Sequence, residues 1–252
     1  MLRSLRLRPL STVLLLLASS LLLAVVACGG DSDGDVVPAG EVKLASADEL
    51  TSFRYELTIS IAVSEDATSP LAIDLSMELS GAVITPDREH TTVKVDFGFF
   101  TIDLETIRIG TQTWAREPGG QWAVESPGEE ALPLDLSPLD ILGGSEFSSL
   151  QAVISGLAGT VETVNGVSAV RYDMNADQFA SAFPDEAGSE SDLPTDDLEN
   201  MTISLWVARD SGIPIRLILE GTSTGDDAGS TVKLELNLTD LNSSSIKIEA
   251  PI

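Results

Sequence analysis

One cysteine, one histidine and two tyrosines in 252 residues leave few side chains for catalysis. A lone Cys28 excludes an internal disulfide, so stability has to come from a packed core. With His90 as the only histidine, any Ser-His-Asp or Cys-His arrangement would rest on that residue alone, and a transition-metal site lacks ligands. Gly-x-Ser-x-Gly, His-Glu-x-x-His and phosphate-loop signatures are absent. Asp31, Asp33 and Asp35 alternate as the first ligands of a calcium loop do, but no Glu stands where an EF-hand needs one. Basic residues are scarce too. Fourteen Lys and Arg face 40 Asp and Glu, a formal charge of −26, which argues against nucleic acid and anionic membrane surfaces as electrostatic partners. Paired carboxylates of the glycosidase kind are the hydrolytic arrangement that so many acids leave open, and a charged, solvated surface is the simpler account. The expectation is a protein that is not an enzyme, with no catalytic residue, cofactor or metal.

What is present begins with Arg3, Arg6 and Arg8, followed by an apolar run from Val13 to Val26 interrupted by Ser19 and Ser20. That is the layout of a secretion signal, too short for a comfortable transmembrane helix. It closes on Val25-Val26-Ala27-Cys28-Gly29, which resembles a bacterial lipobox. The resemblance implies that residues 1–27 are a lipoprotein signal peptide and that the Cys28 thiolate takes a diacylglyceryl group. Each buried acyl methylene contributes about 0.8 kcal/mol, so the two or three chains on such a residue make a stable anchor. Residues 28–40, rich in Gly and Asp, read as a flexible linker, and 41–252 as a single domain.

Within that domain, period-2 alternation dominates. Glu41 to Thr51 reads as a short helix, capped at Ser46 with Glu49 three residues on. Phe53 to Val63, Leu71 to Leu79 and Val93 to Phe99 then each alternate apolar and polar residues, which predicts three long antiparallel strands in a meander. Apolar parity is even at Ile102 and Leu104 and odd at Ile107 and Ile109, the signature of a bulge near Glu105 or Thr106. Gly110-Thr111 and Pro118-Gly119-Gly120 are hairpin turns around strands that carry Trp114 and Trp122. The period then changes. Ser137-Pro138 is a helix entry, and Phe147, Leu150, Ile154 and Leu157 fall at helical spacing on a stripe that must lie on the sheet. Strands resume at Thr160 to Val164, turn at Asn165-Gly166 and return through Val167 to Met174, followed by a short helix from Asp177 to Phe183. Pro184 to Glu199 holds seven acids among sixteen residues and reads as a solvated acidic loop. Met201 to Arg209, Ile213 to Glu220 and Thr231 to Leu238 are three closing strands, and Ile246 with Ile248 would add an edge strand.

The order of these stretches resembles the LolA-like lipoprotein carriers, in particular the bacterial lipoprotein family of LppX, LprA, LprF and LprG. The matching pieces are Phe53-Arg54-Tyr55-Glu56-Leu57, Ile107-Arg108-Ile109-Gly110 with Thr113-Trp114-Ala115-Arg116 and Gly120-Gln121-Trp122, Val170-Arg171-Tyr172, and Leu205-Trp206-Val207-Ala208-Arg209 through Leu217. The acidic 184–199 loop departs from that pattern. The resemblance implies an α+β fold, a strongly twisted antiparallel half-barrel sheet with helices covering the concave face. It also implies a role, that of a membrane-anchored protein at the extracytoplasmic face of the cell membrane that binds lipid or glycolipid acyl chains in a cavity and carries or presents them. Candidate lining residues are Leu57, Ile59, Leu75, Met77, Val95, Phe97, Leu150, Ile154, Leu217 and Leu234. Periodicity does not separate an open cavity from a filled core. The alternative is therefore a tethered envelope interaction or sensor module with no lipid ligand, using Trp114, Trp122 and the acidic loop as its contact surface.

Overall fold

Alternation builds the architecture directly. The computed structural model describes residues 35–62, 74–125, 148–181, 198–223 and 230–251, all within one unit, Asp35–Ile252. Residues 1–27, Cys28, Leu71, Ile73, Ser137-Pro138, Phe147, Phe183 and all but the last two residues of the acidic stretch lie outside the described residues. In chain order the strands are β1 Val36–Val37, β2 Ser52–Ala62, β3 Leu75–Ile84, β4 Arg88–Asp96, β5 Thr101–Ile109, β6 Gln112–Arg116, β7 Ala123–Val124, β8 Gly159–Val164, β9 Val167–Asn175, β10 Leu198–Ala208, β11 Pro214–Ser223 and β12 Thr231–Thr239. Two helices accompany them, α1 Ser148–Ile154 before β8 and α2 Ala176–Ala180 after β9.

The strands form a single open, curled antiparallel sheet in the order β1-β8-β9-β10-β11-β12-β2-β3-β4-β5-β6-β7. The β2–β3–β4 meander predicted from alternation is there, with Leu57 opposite Leu79 and Met77 opposite Val95. A second meander runs β8 to β12, and the two are joined where β12 pairs with β2, from Thr231↔Ala62 to Thr239↔Arg54. Asn165 (φ 52°) and Gly166 (φ 79°) make the two-residue turn between β8 and β9, both in the left-handed region that such hairpins require.

Several expectations are corrected here. The fold is mostly β, with only two short helices among the described residues, not an α+β half-barrel whose helices cover the concave face. The physical reason is reach. A helix rises about 1.5 Å per residue, so the seven residues of α1 span roughly 10 Å, too little to roof a twelve-stranded sheet. Glu41 to Thr51 is not a helix but an extended segment ending in a 3₁₀ turn at Ala47–Glu49. Distant partners hold it extended: Leu44 N–H donates to Gln151 Oε1 at 2.6 Å and Ala45 N–H to the Gly212 carbonyl at 2.9 Å. Part of the span read as linker is in the sheet, since Val36 and Val37 pair with Thr160 and Gly159 of β8. Leu198 and Glu199, assigned to the acidic loop, open β10.

No bulge interrupts β5, whose register against β4 is unbroken from Arg88↔Ile109 to Asp96↔Thr101. Its parity changes because its apolar residues face opposite sides of the sheet in its two halves, exposed or partly buried on the inner face at Ile102 and Leu104 and buried on the outer face at Ile107. Ile102 and Leu104 lie on the inner face opposite Val95 and Val93, whereas Ile107 lies on the outer face opposite His90. There it joins Ala82, Ile246 and Ile248 in a separate cluster, with Ile84, Ile109, Trp114 and Trp122 packed around it. Ile246 and Ile248 thus form no edge strand; their irregular segment covers the outer face. The register is shifted instead between β10 and β11, at Glu199/Thr202 and at Trp206/Val207, and the second shift turns Ile215 to the outer face beside Trp206.

Candidate functional site

The inner face, which carries Phe53, Tyr55 and Leu57, collects the main core into one cluster running from Val37 of β1 to Val95 of β4. All ten residues singled out from sequence belong to this cluster or pack against it. They fall into two groups. Leu57, Val95, Leu150, Ile154, Leu217 and Leu234 are buried, whereas Ile59, Leu75, Met77 and Phe97 are half-buried. The division follows position along the strands. On β2 burial is complete at Phe53, Tyr55 and Leu57 and partial at Ile59 and Ile61; on β3 it is complete at Leu79 and partial at Met77 and Leu75. On β12 it is complete at Leu236 and partial at Val232, and on β11 complete at Leu217 and partial at Leu219. Cross-strand pairing places the partly exposed members side by side, Ile59 with Met77 and Ile61 with Leu75 and Val232, while buried Leu234 flanks Ile59 on the other side. At one end of the sheet, then, the inner face is a dry core. At the other it is an apolar band in contact with solvent.

Helix α1 belongs to the dry part. Leu150 and Ile154 insert into the cluster, and Gln151 on the same helix clamps the extended segment, accepting from Leu44 N–H at 2.6 Å and donating to the Val42 carbonyl at 3.4 Å. Helix α2 is fastened by a capping box in which the Asn175 side chain accepts from Gln178 N–H and the Gln178 side chain from Asn175 N–H.

Polar side chains on the inner face gather at the dry end. Gly81 sits between Tyr55 and Thr91 on adjacent strands, and its missing side chain lets the Tyr55 ring lie across β3. The hydroxyl meets Thr91 Oγ1 at 2.6 Å and donates to Glu89 Oε1 at 3.3 Å, while Arg108 Nη2 pairs with Glu89 Oε2 at 2.8 Å. Burial, and then the charge of Glu89, hold the Tyr55 hydroxyl protonated far above the ordinary tyrosine range. It is a structural hydrogen-bonding group there, not a nucleophile.

The outer face carries ion-pair ladders. His90 Nε2 lies 2.7 Å from Glu105 Oε1, and Arg116 Nη2 lies 2.5 Å from Glu105 Oε2. Partial burial pushes the Glu105 carboxyl upward, but hydrogen bonds from His90 and Arg116 outweigh it and hold the group below the usual carboxylate range. Glu235 is held low in the same way: Asn237, Arg216 and Lys233 outweigh its desolvation. Trp206 lies between Arg171 and Arg216, whose guanidinium carbons are 5.4 and 5.0 Å from the ring, and its indole N–H donates to Glu162 Oε2 at 2.7 Å. A surface cleft of about 230 Å³ opens beside Glu105 and Arg116, lined also by Thr92, Asp103 and Pro118. The chain's only histidine is therefore hydrogen-bonded to Glu105, beside the Glu105–Arg116 ion pair. Among the described residues no three His, Cys, Asp or Glu side chains are grouped as a metal would need, and no helix is long and apolar enough to cross a membrane.

Sequence reasoning missed Ile61, Leu219 and Val232, although each continues a strand alternation it had already found. It also missed Tyr55 as the centre of the buried polar network, since a Tyr on an apolar face gives no sign of its partner.

No family model matches the chain, and no curated protein does. Among solved structures it is similar to one described as "putative outer membrane lipoprotein-sorting protein domain from Vibrio parahaemolyticus", at 10% identity and a TM-score of 0.24, over 78% of this chain and 87% of that one. A likeness of that degree assigns this chain to no family.

Proposed function

We propose that the chain is an exported, lipid-anchored protein that holds lipid acyl chains against the open band of its inner face and carries or presents them at the cell envelope, without catalysis. The band of Ile59, Ile61, Leu75, Met77, Leu219 and Val232 carries this reading, because it is a run of neighbouring, only partly buried apolar side chains beside a dry core. An acyl chain is the ligand chemistry that such a surface suits, since these six side chains are all apolar. The Val25-Val26-Ala27-Cys28 ending supports the anchor, and an anchor would put the band beside a source of acyl chains.

Native mass spectrometry with solvent extraction of the purified chain tests the ligand. Lipid should copurify, and Ile59→Trp or Met77→Trp should reduce it while leaving the unfolding midpoint nearly unchanged. Leu150→Trp, in the dry part, should instead cost about 1–3 kcal/mol from overpacking. A wild-type chain that extracts clean of lipid, together with equal destabilisation by all three substitutions, would replace the carrier with the tethered interaction module. For the anchor, Cys28→Ala should abolish labelling by alkyne palmitate; persistent labelling would remove it.

A further inference from the structure

Three of the chain's seven phenylalanines fall within four residues, Phe97-Gly98-Phe99-Phe100, at the turn between β4 and β5. The turn is well fixed. Gly98 takes φ +80°, its N–H donates to Asp96 Oδ1 at 2.7 Å, and Phe97 N–H donates to the Phe100 carbonyl at 3.0 Å just beyond the last ladder pair, Asp96↔Thr101. Its rings stack on each other, Phe97 on Phe100 at 4.6 Å and Phe99 edge-on to Phe100 at 4.8 Å. Two of the three are nonetheless out in water: Phe99 is 71% exposed and Phe100 45%, with nearby Ile102 at 47%. Isolated exposed apolar residues are ordinary, but a contiguous aromatic cluster at the tip of a hydrogen-bonded hairpin is a contact surface.

Its position says what kind. Ser76↔Asp96 and Ile61↔Leu75 place the tip at the same end of the sheet as the open apolar band. Phe97 packs against the core cluster, its ring stacks on Phe100 and Phe100 meets Phe99, so apolar contact runs from the inner face to the tip. Charge favours a neutral partner. Asp96 and Asp103 flank the turn, Lys94 is paired across the ladder with Asp103, and the chain as a whole is strongly acidic, so anionic headgroups would be repelled. Aromatic rings, by contrast, partition into the interface of a bilayer whatever its charge.

We propose that the Phe97–Phe100 turn is a membrane-contact element whose Phe99 and Phe100 rings enter a zwitterionic bilayer, and that the apolar surface behind it is the path by which an acyl chain passes onto the inner face. The path rests on the carrier reading; the contact itself rests on the tip.

The test places a nitroxide label at the tip. Phe99→Cys in the full chain is bound to phosphatidylcholine vesicles, with Val167→Cys, at the β8–β9 hairpin, as the reference position. Accessibility of each label to dissolved oxygen and to a water-soluble nickel chelate is then measured. The label at 99 should gain oxygen collisions and lose nickel collisions severalfold relative to 167. Equal nickel access at both positions would overturn the proposal. Protection of position 99 in a lipid-free Cys28→Ser chain, with spin–spin broadening, would overturn it as well, because a second copy would then be the occupant. Lipid extraction of the same preparation separates the two readings. Copurified lipid with a water-exposed label removes the membrane contact and keeps the carrier; a bilayer-buried label with no copurified lipid does the reverse.

Discussion

Replacing Gly81 with alanine probes the join between the dry core and its polar network. Gly81 is flanked on the inner face by Tyr55 of β2 and Thr91 of β4, and a Cβ there would meet the His90 carbonyl oxygen and, at 3.0 Å, both Cε1 and Cζ of Tyr55. The ring could swing away, but the carbonyl is backbone of the β3–β4 ladder and moves only if the ladder does. Overpacking of this kind costs about 1–3 kcal/mol. If the ring moves, its hydroxyl leaves Thr91, and a buried hydroxyl stripped of its partner costs a further 1–3 kcal/mol or so. Relief of glycine's backbone entropy returns roughly 0.5–1 kcal/mol, leaving a net loss of about 1–5 kcal/mol. Urea unfolding of wild type, Gly81→Ala, Tyr55→Phe and the double variant measures it, with the denaturant slope checked for constancy. The cycle should show coupling, since Tyr55→Phe removes the hydroxyl that Gly81→Ala would strand. A Gly81→Ala loss below about 0.5 kcal/mol, the range of an ordinary surface substitution, would refute the account of why glycine stands there.

Leu150→Ala removes a buried side chain from the α1 contact and should lower unfolding free energy by about 2–5 kcal/mol in urea titration, whereas Leu75→Ala in the open band should cost clearly less. Trp206→Phe gives up the hydrogen bond to Glu162 and weakens the stacking of Arg171 and Arg216, a loss of about 1–3 kcal/mol that Glu162→Gln should reproduce only in part. Glu105 and Glu235 have depressed folded-state pKa values, so their stabilisation is complete above the ordinary carboxylate pKa of about 4.3 and is lost as pH falls below it. Glu105→Gln should therefore flatten the acid limb of the stability curve, read as the urea midpoint at neutral and acid pH; an unchanged limb would contradict the ion-pair assignment.

How much of this was legible beforehand depended on whether neighbours in sequence or neighbours in space decide a residue's state. Phe53 through Ile61 alternates because one sheet face is buried, so β2 and its partners could be read from the chain. Periodicity reports that a residue is buried, not on which side. The shift from Leu104 to Ile107 therefore looked like a bulge, when Ile246 and Ile248 from the far end of the chain cover the other face. The stretch from Glu41 to Thr51 has a helical look, but Gln151 and Gly212, distant in sequence, supply the bonds that keep it extended. The same limit applied to the site. All ten inner-face residues were found from alternation, yet the change from dry core to open band runs along each strand, where successive same-face positions look alike in sequence. The tip at Phe97–Phe100 was visible as composition and was taken only as the end of a strand.

The pairing of β12 with β2 carries a consequence for how the chain acquires its structure. Those two central strands are separated by most of the domain's length, so nine cross-strand pairs at the middle of the sheet form only after residue 239 exists. Contacts of such long sequence separation slow folding, because the closure entropy of the intervening chain is lost before the pairing returns anything. Until then β2 and β11, each ten or more residues long, would stand as bare edges, the kind of surface on which chains join one another. A chain ending before Thr231 should accordingly aggregate instead of folding into a smaller version of the same sheet.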